Sequence, residues 1–243
     1  IDSPYKTINK GISMVNPGGT VYVMQGVYQN DNYGNVDPST NTNMNNQHVV
    51  TINKSGTEDA YITLRNYPGH TPKIKFDGRG GIIISNNMNY IIIEGFEVEG
   101  PSQDIDYSIA IADREYKILC AEDGDSSTNY NNAYFGGKGI WGGYGAHKHV
   151  IIRNNIVHDT PGSAIRFNDS DYITIEDNIV YNSNWWTSSA SSAIVFAETI
   201  SEEGDNGSNI KMIIRGNLVY NNWNRIPFYL SLIHISEPTR RLI

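Results

Sequence analysis

The residue types of this chain favour proton abstraction beside a carboxylate. Lys138 and His158 are the candidate bases, because a Lys or His whose pKa is depressed can remove such a proton. Arg166 would stabilise the enolate-like charge that develops. Together these residues predict β-elimination next to a carboxylate. For His158 there is an alternative interpretation, a corner residue that caps strand carbonyl groups.

Sugar-binding residues are expected on the same face. Strand alternation directs Trp141, Arg166 and Asn168 outward on successive rungs. An aromatic ring can pack on the C–H face of a sugar, and an arginine can hold a uronate carboxylate bidentately. Trp185 and Trp186 lie in a polar loop, where we expect one ring to be exposed for binding and the other to pack inward.

Two other functions stay open. Glycoside hydrolysis needs two carboxylates that flank the scissile bond. The candidates for that role are Asp159, Asp169, Glu198, Glu202 and Glu203. Asp169 has a second interpretation as a turn former, and the acidic balance of the chain suits a neutral glycan. The third function is non-catalytic, a β-helix that binds glycans or acts as an adhesin.

A calcium site is the only cofactor that the sequence suggests. Glu122, Asp123 and Asp125 surround a glycine, and clustered carboxylates can bind Ca²⁺ through oxygen. The match to an EF-hand loop is poor, since no glutamate stands at the closing position and the flanks are not clear helices. A solvated acidic loop is the alternative.

These candidates depend on a repeat of two short β-branched runs around a polar corner. The repeat occurs in Asn89–Gly100, Lys148–Asp159, Asp171–Asn182 and Ile210–Asn221, with a weaker copy in Ala60–Tyr67. A third run precedes most copies, for example Gly139–Trp141 and Ala164–Phe167. Three strands in a turn of about 22 residues predict a right-handed parallel β-helix, an all-β solenoid.

One corner column of this repeat contains asparagine. Asn155, Asn178 and Asn217 align, and stacked Asn side chains can hydrogen-bond along the coil axis. We interpret them as a structural ladder with no catalytic role. Phe96 and Tyr67 occupy the same column in earlier coils.

The β-helix is predicted to occupy residues 1–229 with two additions. Ser3–Val15 has helical spacing of its apolar residues, with Ser3 as the N-cap and Pro4 in the first turn, so that a cap covers about residues 3–19. A loop insertion is expected over about residues 101–138.

The chain resembles the right-handed β-helix superfamily of polysaccharide degradation. The opening YKTINKGISMVNPGGTVYVMQGVY is similar to the start shared by pectate-lyase-like and chondroitinase-B-like enzymes, and the strand–Asn–strand copies fit the same pattern. The resemblance spans Pro4 to Tyr229. It implies a secreted protein, extracellular or periplasmic, that binds an extended glycan across parallel strands, and its members include lyases, hydrolases, epimerases, esterases and adhesins.

Composition excludes several classes of protein. Lys and Arg number 18 against 26 Asp and Glu, so a general nucleic-acid binder, which needs a basic face, is not expected. The single cysteine, Cys120, excludes an internal disulfide framework. No apolar run of membrane-spanning length occurs. The 29 asparagines and 23 glycines indicate frequent sharp turns. We expect a monomer.

Both ends of the sequence look cut. Ile1 is preceded by no Met, and no signal peptide is visible. Leu230–Arg240 reads LSLIHISEPTR, which resembles a translated sequencing-library adapter. We therefore expect residues 230–243 to be non-native and exclude them from the fold.

Overall fold

The computed structural model of the protein describes residues 3–37, 47–122, 133–187, 191–201 and 208–226. Its strands form three parallel β-sheets. The chain passes through the sheets in turn, so that each strand pairs with the equivalent strand of the coils before and after it. This arrangement is the predicted parallel β-helix.

Each sheet collects one strand from every coil. The first sheet contains β1 (Thr20–Val23), β4 (Ile62–Asn66), β7 (Ile91–Glu94), β10 (His147–Arg153), β13 (Ser170–Glu176) and β16 (Met212–Arg215). The second contains β2 (Val27–Gln29), β5 (Lys73–Lys75), β8 (Glu97–Glu99), β11 (Ile156–His158), β14 (Ile179–Tyr181) and β17 (Leu218–Tyr220). The third contains β3 (His48–Ile52), β6 (Gly80–Ile84), β9 (Lys138–Gly142), β12 (Ile165–Asn168) and β15 (Ile194–Ala197).

The core is a set of aliphatic columns that run along the axis. Alternate residues of each strand point inward, and parallel register places like residues on top of one another. One column of the first sheet is Leu64, Ile93, Ile152 and Ile175, each at most 1% exposed. In the third sheet, Gly142 lies opposite Phe167, and a Cβ at Gly142 would collide with the Phe167 ring. Because Gly142 has no side chain, the Phe167 ring fits next to it in the core.

The corner asparagines form a hydrogen-bonded ladder. Asn155 Nδ2 donates to Asn178 Oδ1 at 3.1 Å, and Asn178 Nδ2 donates to Asn217 Oδ1 at 2.9 Å. The residue before each of the first two is in the left-handed region, with φ of 54° at both Asn154 and Asp177. The Asn178 and Asn217 side-chain oxygens also accept from the backbone N–H groups of Asn155 and Asn178, so the ladder satisfies backbone donors at the corner.

Replacing Asn178 with Ala should lower the free energy of unfolding by about 1–3 kcal/mol, because the buried Asn155 N–H loses its acceptor. Urea denaturation measures the change. Asn209→Ala is the matched control, since Asn209 is exposed and should change stability little. Equal stability of both variants would show that the ladder contributes nothing.

The outer face of the first sheet carries a second ladder, of alternating charge. Arg65, Glu94, Arg153, Glu176 and Arg215 are in register on successive strands. Glu94 pairs with Arg65 at 3.1 Å and with Arg153 at 2.5 Å, and Arg215 pairs with Glu176 at 2.7 Å. Both glutamates of this ladder are thus paired with arginine within the face.

The N-terminal cap is shorter than the sequence predicts. Helix α1 is Ile8–Met14, and its N-cap is Thr7, whose side chain accepts from the Lys10 N–H. Ser3 and Pro4 lie outside the helix. The helix packs on β1 and β3 and buries Ile8 and Ile12 against the end of the core.

The described parts of the insertion, residues 101–122 and 133–138, are largely helical, where the sequence predicts a loop. A 3-10 helix at Ser102–Asp104 precedes α2 (Tyr107–Glu122), and α3 (Ala133–Gly136) leads into β9. The Asp106 carboxylate accepts from the N–H groups of Ser108 and Ile109, so Asp106 is the N-cap of α2. None of the helices in the described part of the chain has the length and apolarity of a membrane span.

Candidate functional site

A cavity of about 160 Å³ opens on the outer face of the third sheet. We call it the Arg166 pocket. It is lined by Gly136, Lys138, Trp141, Tyr144, Gly162, Ser163, Arg166, Asn168, Thr187 and Ser191. Four of the residues that the sequence singles out, Lys138, Trp141, Arg166 and Asn168, are therefore brought together.

Strand register explains why these residues meet. Trp141 of β9 and Arg166 of β12 are directly paired on the outer face, while their neighbours Ile140 and Ile165 point into the core. Lys138 begins β9 and Asn168 ends β12. The sheet thus fixes the spacing of the site.

Trp141 is buried, which corrects the expectation of an open sugar platform. It is 3% exposed although it points away from the core. Lys138 Nζ lies 4.7 Å and Arg79 Cζ 5.1 Å from the centre of its rings, and Tyr144 packs edge-on at 5.5 Å. Its Nε1–H is buried and has no hydrogen-bond partner among the described residues. An unpaired buried donor is unfavourable, so this N–H is suited to a ligand oxygen.

The surroundings of the pocket are cationic although the chain has a net charge of −8. Lys138 and Arg166 line it, and Arg79 stands over Trp141. His48, whose ring centre is 5.9 Å from that of Trp141, responds to this field. Burial, followed by the charges of Arg79 and Lys138, lowers the pKa of His48 to about 3. The cations Arg79 and Lys138 thus lie close enough to His48 to act on its protonation.

Arg166 is held by its neighbour on the same strand. Arg166 Nε donates to Asn168 Oδ1 at 2.9 Å. Both side chains lie on the outer face of β12, and Arg166 is only partly buried. The contact orients the guanidinium within the pocket, so Asn168 positions Arg166.

Trp185 and Trp186 are both buried, at 2% and 3% exposure, so neither ring is the exposed one that the sequence predicted. They belong to a second apolar cluster, the Trp cluster, which comprises Ile105, Ala110, Tyr134, Phe135, Trp185, Trp186 and Ile226. Trp186 Nε1 donates to the Ser102 carbonyl at 2.9 Å. The two rings attach the insertion to the coil beside the pocket.

His158 and Asp159 lie at the second sheet and Arg166 on the third, so the expectation that they form one site is wrong. His158 lies on the outer face of the second sheet, where Nδ1 is 2.6 Å from Asp159 Oδ2 and Nε2 is 3.2 Å from Glu97 Oε1. Its ring stacks on Tyr181 at 4.7 Å. Asp159 also accepts from Gln103 at 2.7 Å. These contacts describe a buried ion-pair network on a different face.

The network shifts both pKa values toward the charged forms. Burial lowers the pKa of His158, but the hydrogen bond and charge of Asp159 and the hydrogen bond of Glu97 outweigh it, so the pKa is raised. Burial raises the pKa of Asp159, but the hydrogen bonds from His158, Gln103 and Asn182 outweigh it, so the pKa is lowered.

The free energy of unfolding should therefore decline as pH rises above the unfolded pKa of His158, about 6.5. The stabilisation by His158 is fully present below its unfolded pKa of about 6.5 and is lost as pH rises through the higher folded-state pKa. His48 and His147, whose pKa values are lowered, are neutral in both states above about pH 7 and add no slope there. Urea denaturation between about pH 6 and pH 9 tests this. His158→Gln should flatten the decline, and an unchanged slope in that variant would contradict the assignment.

The described candidate carboxylates for hydrolysis lie in two places, at the corner after the third-sheet strands and on the second sheet. Glu198 is exposed, follows β15 directly and has φ of 56°, and Asp169 occupies the equivalent corner after β12 with φ of 43°. Asp159 is engaged on the second sheet as described above. Glu202 and Glu203 lie outside the described residues. The described residues that line the Arg166 pocket include no carboxylate.

The calcium prediction falls where the structure gives no ligand geometry. Glu122 is the last residue of α2, but its side chain lies outside the described part, as do Asp123 and Asp125. A different group has metal-like spacing, since ligand atoms of Glu97, Glu99 and His158 lie within 4.8 Å of one another. The Lys73 ammonium already bonds both glutamates at 2.7 Å, so that group is neutralised internally.

Several pocket residues were not found from the sequence. Arg79 precedes Gly80, which pairs with Lys138, so alignment of the third-sheet runs would have placed Arg79 beside the site. His48 is paired with Gly80 from the other side, so the same alignment would have placed it near the site too. Tyr144, Thr187 and Ser191 lie in connections between strands, and the repeat contains no signal for their positions.

Comparison with known proteins gives no relative. No family model, curated protein or solved structure matches the chain. Function has to be inferred from the fold and the pocket themselves.

Proposed function

We propose that this protein acts on carbohydrate and binds a uronate-containing polysaccharide at the Arg166 pocket. The observation that carries the proposal is the buried indole N–H of Trp141, which has no hydrogen-bond partner among the described residues. In this acidic chain the Trp141 rings lie beside Lys138 and Arg79, and Arg166 is paired with Trp141 on the next strand. A parallel β-helix is compatible with such a protein, because its flat flank can hold a sugar chain. An extracellular or periplasmic location belongs to the proposal, since extended polysaccharides are met there.

The reaction that we propose is β-elimination. Arg166 pairs with the uronate carboxylate and stabilises the enolate-like charge as the neighbouring carbon loses its proton. Lys138 Nζ, in its neutral form, accepts that proton. The electron pair of the C–H bond becomes the new C=C bond, the C–O bond to the leaving sugar breaks, and the leaving oxygen takes a proton from water. A lysine base predicts a rate that rises toward alkaline pH.

Hydrolysis is the second candidate. The observation that favours it is the placement of Asp169 and Glu198 at the same corner of successive coils, next to the strands that carry the pocket. Two carboxylates beside a bound sugar suit acid–base hydrolysis. Glu198→Gln should then abolish release of reducing sugar, whereas elimination should be unaffected by that change.

One assay separates the candidates. The protein is incubated with pectate, alginate and chondroitin while the absorbance of unsaturated uronate is followed, and with neutral glycans while reducing sugar is measured. Elimination predicts absorbance with at least one uronate polymer. Reducing sugar from neutral glycans alone would replace elimination with hydrolysis. Retention on a glycan gel without cleavage would favour a binding module.

A chelator arm of the same assay tests the calcium prediction. The proposed roles of Arg166 and Lys138 require no metal, so activity that persists in excess chelator would remove calcium from the account. Activity lost on chelation and restored by Ca²⁺ alone would support a calcium site in the insertion.

A further inference from the structure

We infer that the Arg166 pocket receives the anionic terminal unit of a sugar chain and does not hold an internal segment. This rests on the proposed function and specifies its substrate as a chain end. An open groove is the alternative, since the resemblance implies an extended glycan bound across parallel strands.

The pocket spans only two rungs along the axis. The outward column of the third sheet contains Ile83, Trp141, Arg166 and Val195 in register, and of these only Trp141 and Arg166 line the pocket. Within this column the flanking rungs carry the aliphatic side chains Ile83 and Val195, which offer no hydrogen bonds to neighbouring sugars. Polar recognition by this column is therefore limited to the length of about two strand spacings, roughly 10 Å.

The walls of the pocket are connected to one another. Gly162 N–H donates to the Gly137 carbonyl at 2.8 Å and joins the end of the insertion to the turn before β12. Ser163 Oγ and Ser191 Oγ are 2.5 Å apart and join that turn to the connection that follows the Trp cluster. Asn184 Nδ2 adds a bond to the Ser191 carbonyl at 3.2 Å. This side is thus closed by a hydrogen-bonded rim.

The size of the cavity agrees with a single unit. Its volume of about 160 Å³ is well below the roughly 300–1,000 Å³ of pockets that enclose drug-sized ligands. Lys138, Trp141 and Arg166 all line this space, and the Trp141 N–H has no hydrogen-bond partner among the described residues. One sugar unit with a carboxylate fits this volume and can accept hydrogen bonds from these donors.

Competition binding tests the inference without requiring turnover. The uronate polymer retained best in the assay above is labelled and bound to the protein, and unlabelled chains of two lengths compete at equal mass. A chain-end site predicts that potency rises in proportion to the number of ends, about tenfold for chains ten times shorter. Potency that follows mass alone would overturn the chain-end inference and leave uronate binding intact. No binding of any uronate would instead contradict the proposed function.

Two tryptophan variants locate the effect. Trp141→Phe keeps an aromatic ring but removes the N–H, so it should weaken binding of short uronate chains several-fold and leave binding of their carboxyl-reduced counterparts unchanged. Trp223→Phe is the control, because Trp223 is 53% exposed and lies outside the pocket lining. Equal affinities for Trp141→Phe and wild type would remove the indole from the site.

Discussion

Arg166→Ala is expected to lower turnover of the uronate polymer by a factor of about 10² to 10³ while the protein stays folded. Loss of one group that stabilises developing negative charge typically has an effect of this size. Arg166 points outward and is partly exposed, and its described hydrogen bond is to Asn168 on the same strand. Its removal should therefore leave the aliphatic columns intact. Initial rates and a urea denaturation curve measure the two properties.

A matched arginine makes this result specific. Arg215 also projects from a strand, with a side chain 68% exposed, and pairs with Glu176 on the first sheet. Arg215→Ala should retain full turnover. Arg166→Lys keeps the charge without the bidentate fork, so it should recover only part of the rate. Full activity of Arg166→Ala would remove Arg166 from the site.

Trp186→Ala is expected to lower the free energy of unfolding by about 3–5 kcal/mol, the usual range for truncating a buried large aromatic side chain. Trp186 is 3% exposed, and its indole N–H bonds the Ser102 carbonyl. The change leaves a cavity in the Trp cluster and loosens the contact between the insertion and the coil. Uronate affinity should fall as well, since Thr187 of the pocket lining follows directly in the chain.

Trp223→Ala provides the comparison for this second variant. Trp223 is 53% exposed, and its replacement should change stability by no more than about 0.5 kcal/mol. If Trp186→Ala were equally mild, the Trp cluster would not anchor the insertion. Urea denaturation of both proteins at one pH decides between these outcomes.

Much of the coil could be predicted from the sequence because the strands of the repeat consist largely of β-branched residues. The run predicted at Gly139–Trp141 lies within β9, and the alignment of Trp141 with Arg166 is the observed register. Alternation gives the direction of a side chain with respect to the core. It does not reveal what covers the outer face, and for Trp141 the cover includes Arg79 from the preceding coil.

Distant partners also explain the errors about His158 and the insertion. His158 is bonded to Glu97, which stands 61 positions earlier, so neighbouring residues in the sequence gave no indication of its surroundings. The long helix of the insertion is only weakly amphipathic, so its apolar residues give little helical pattern. The clearest sequence signal for this helix is its N-cap residue, Asp106. Side chains between strands are set by such contacts and not by the repeat.

The most direct test of the uronate pocket is the indole N–H of Trp141. In a ¹⁵N-labelled sample, the four tryptophans give four indole cross-peaks, and Trp141→Phe identifies the one that belongs to Trp141. Titration with short uronate chains from pectate, alginate or chondroitin should move that peak strongly with at least one of them, because its proton acquires a carboxylate acceptor. A Trp141 peak that stays in place at saturating concentrations of all three would contradict binding in the pocket.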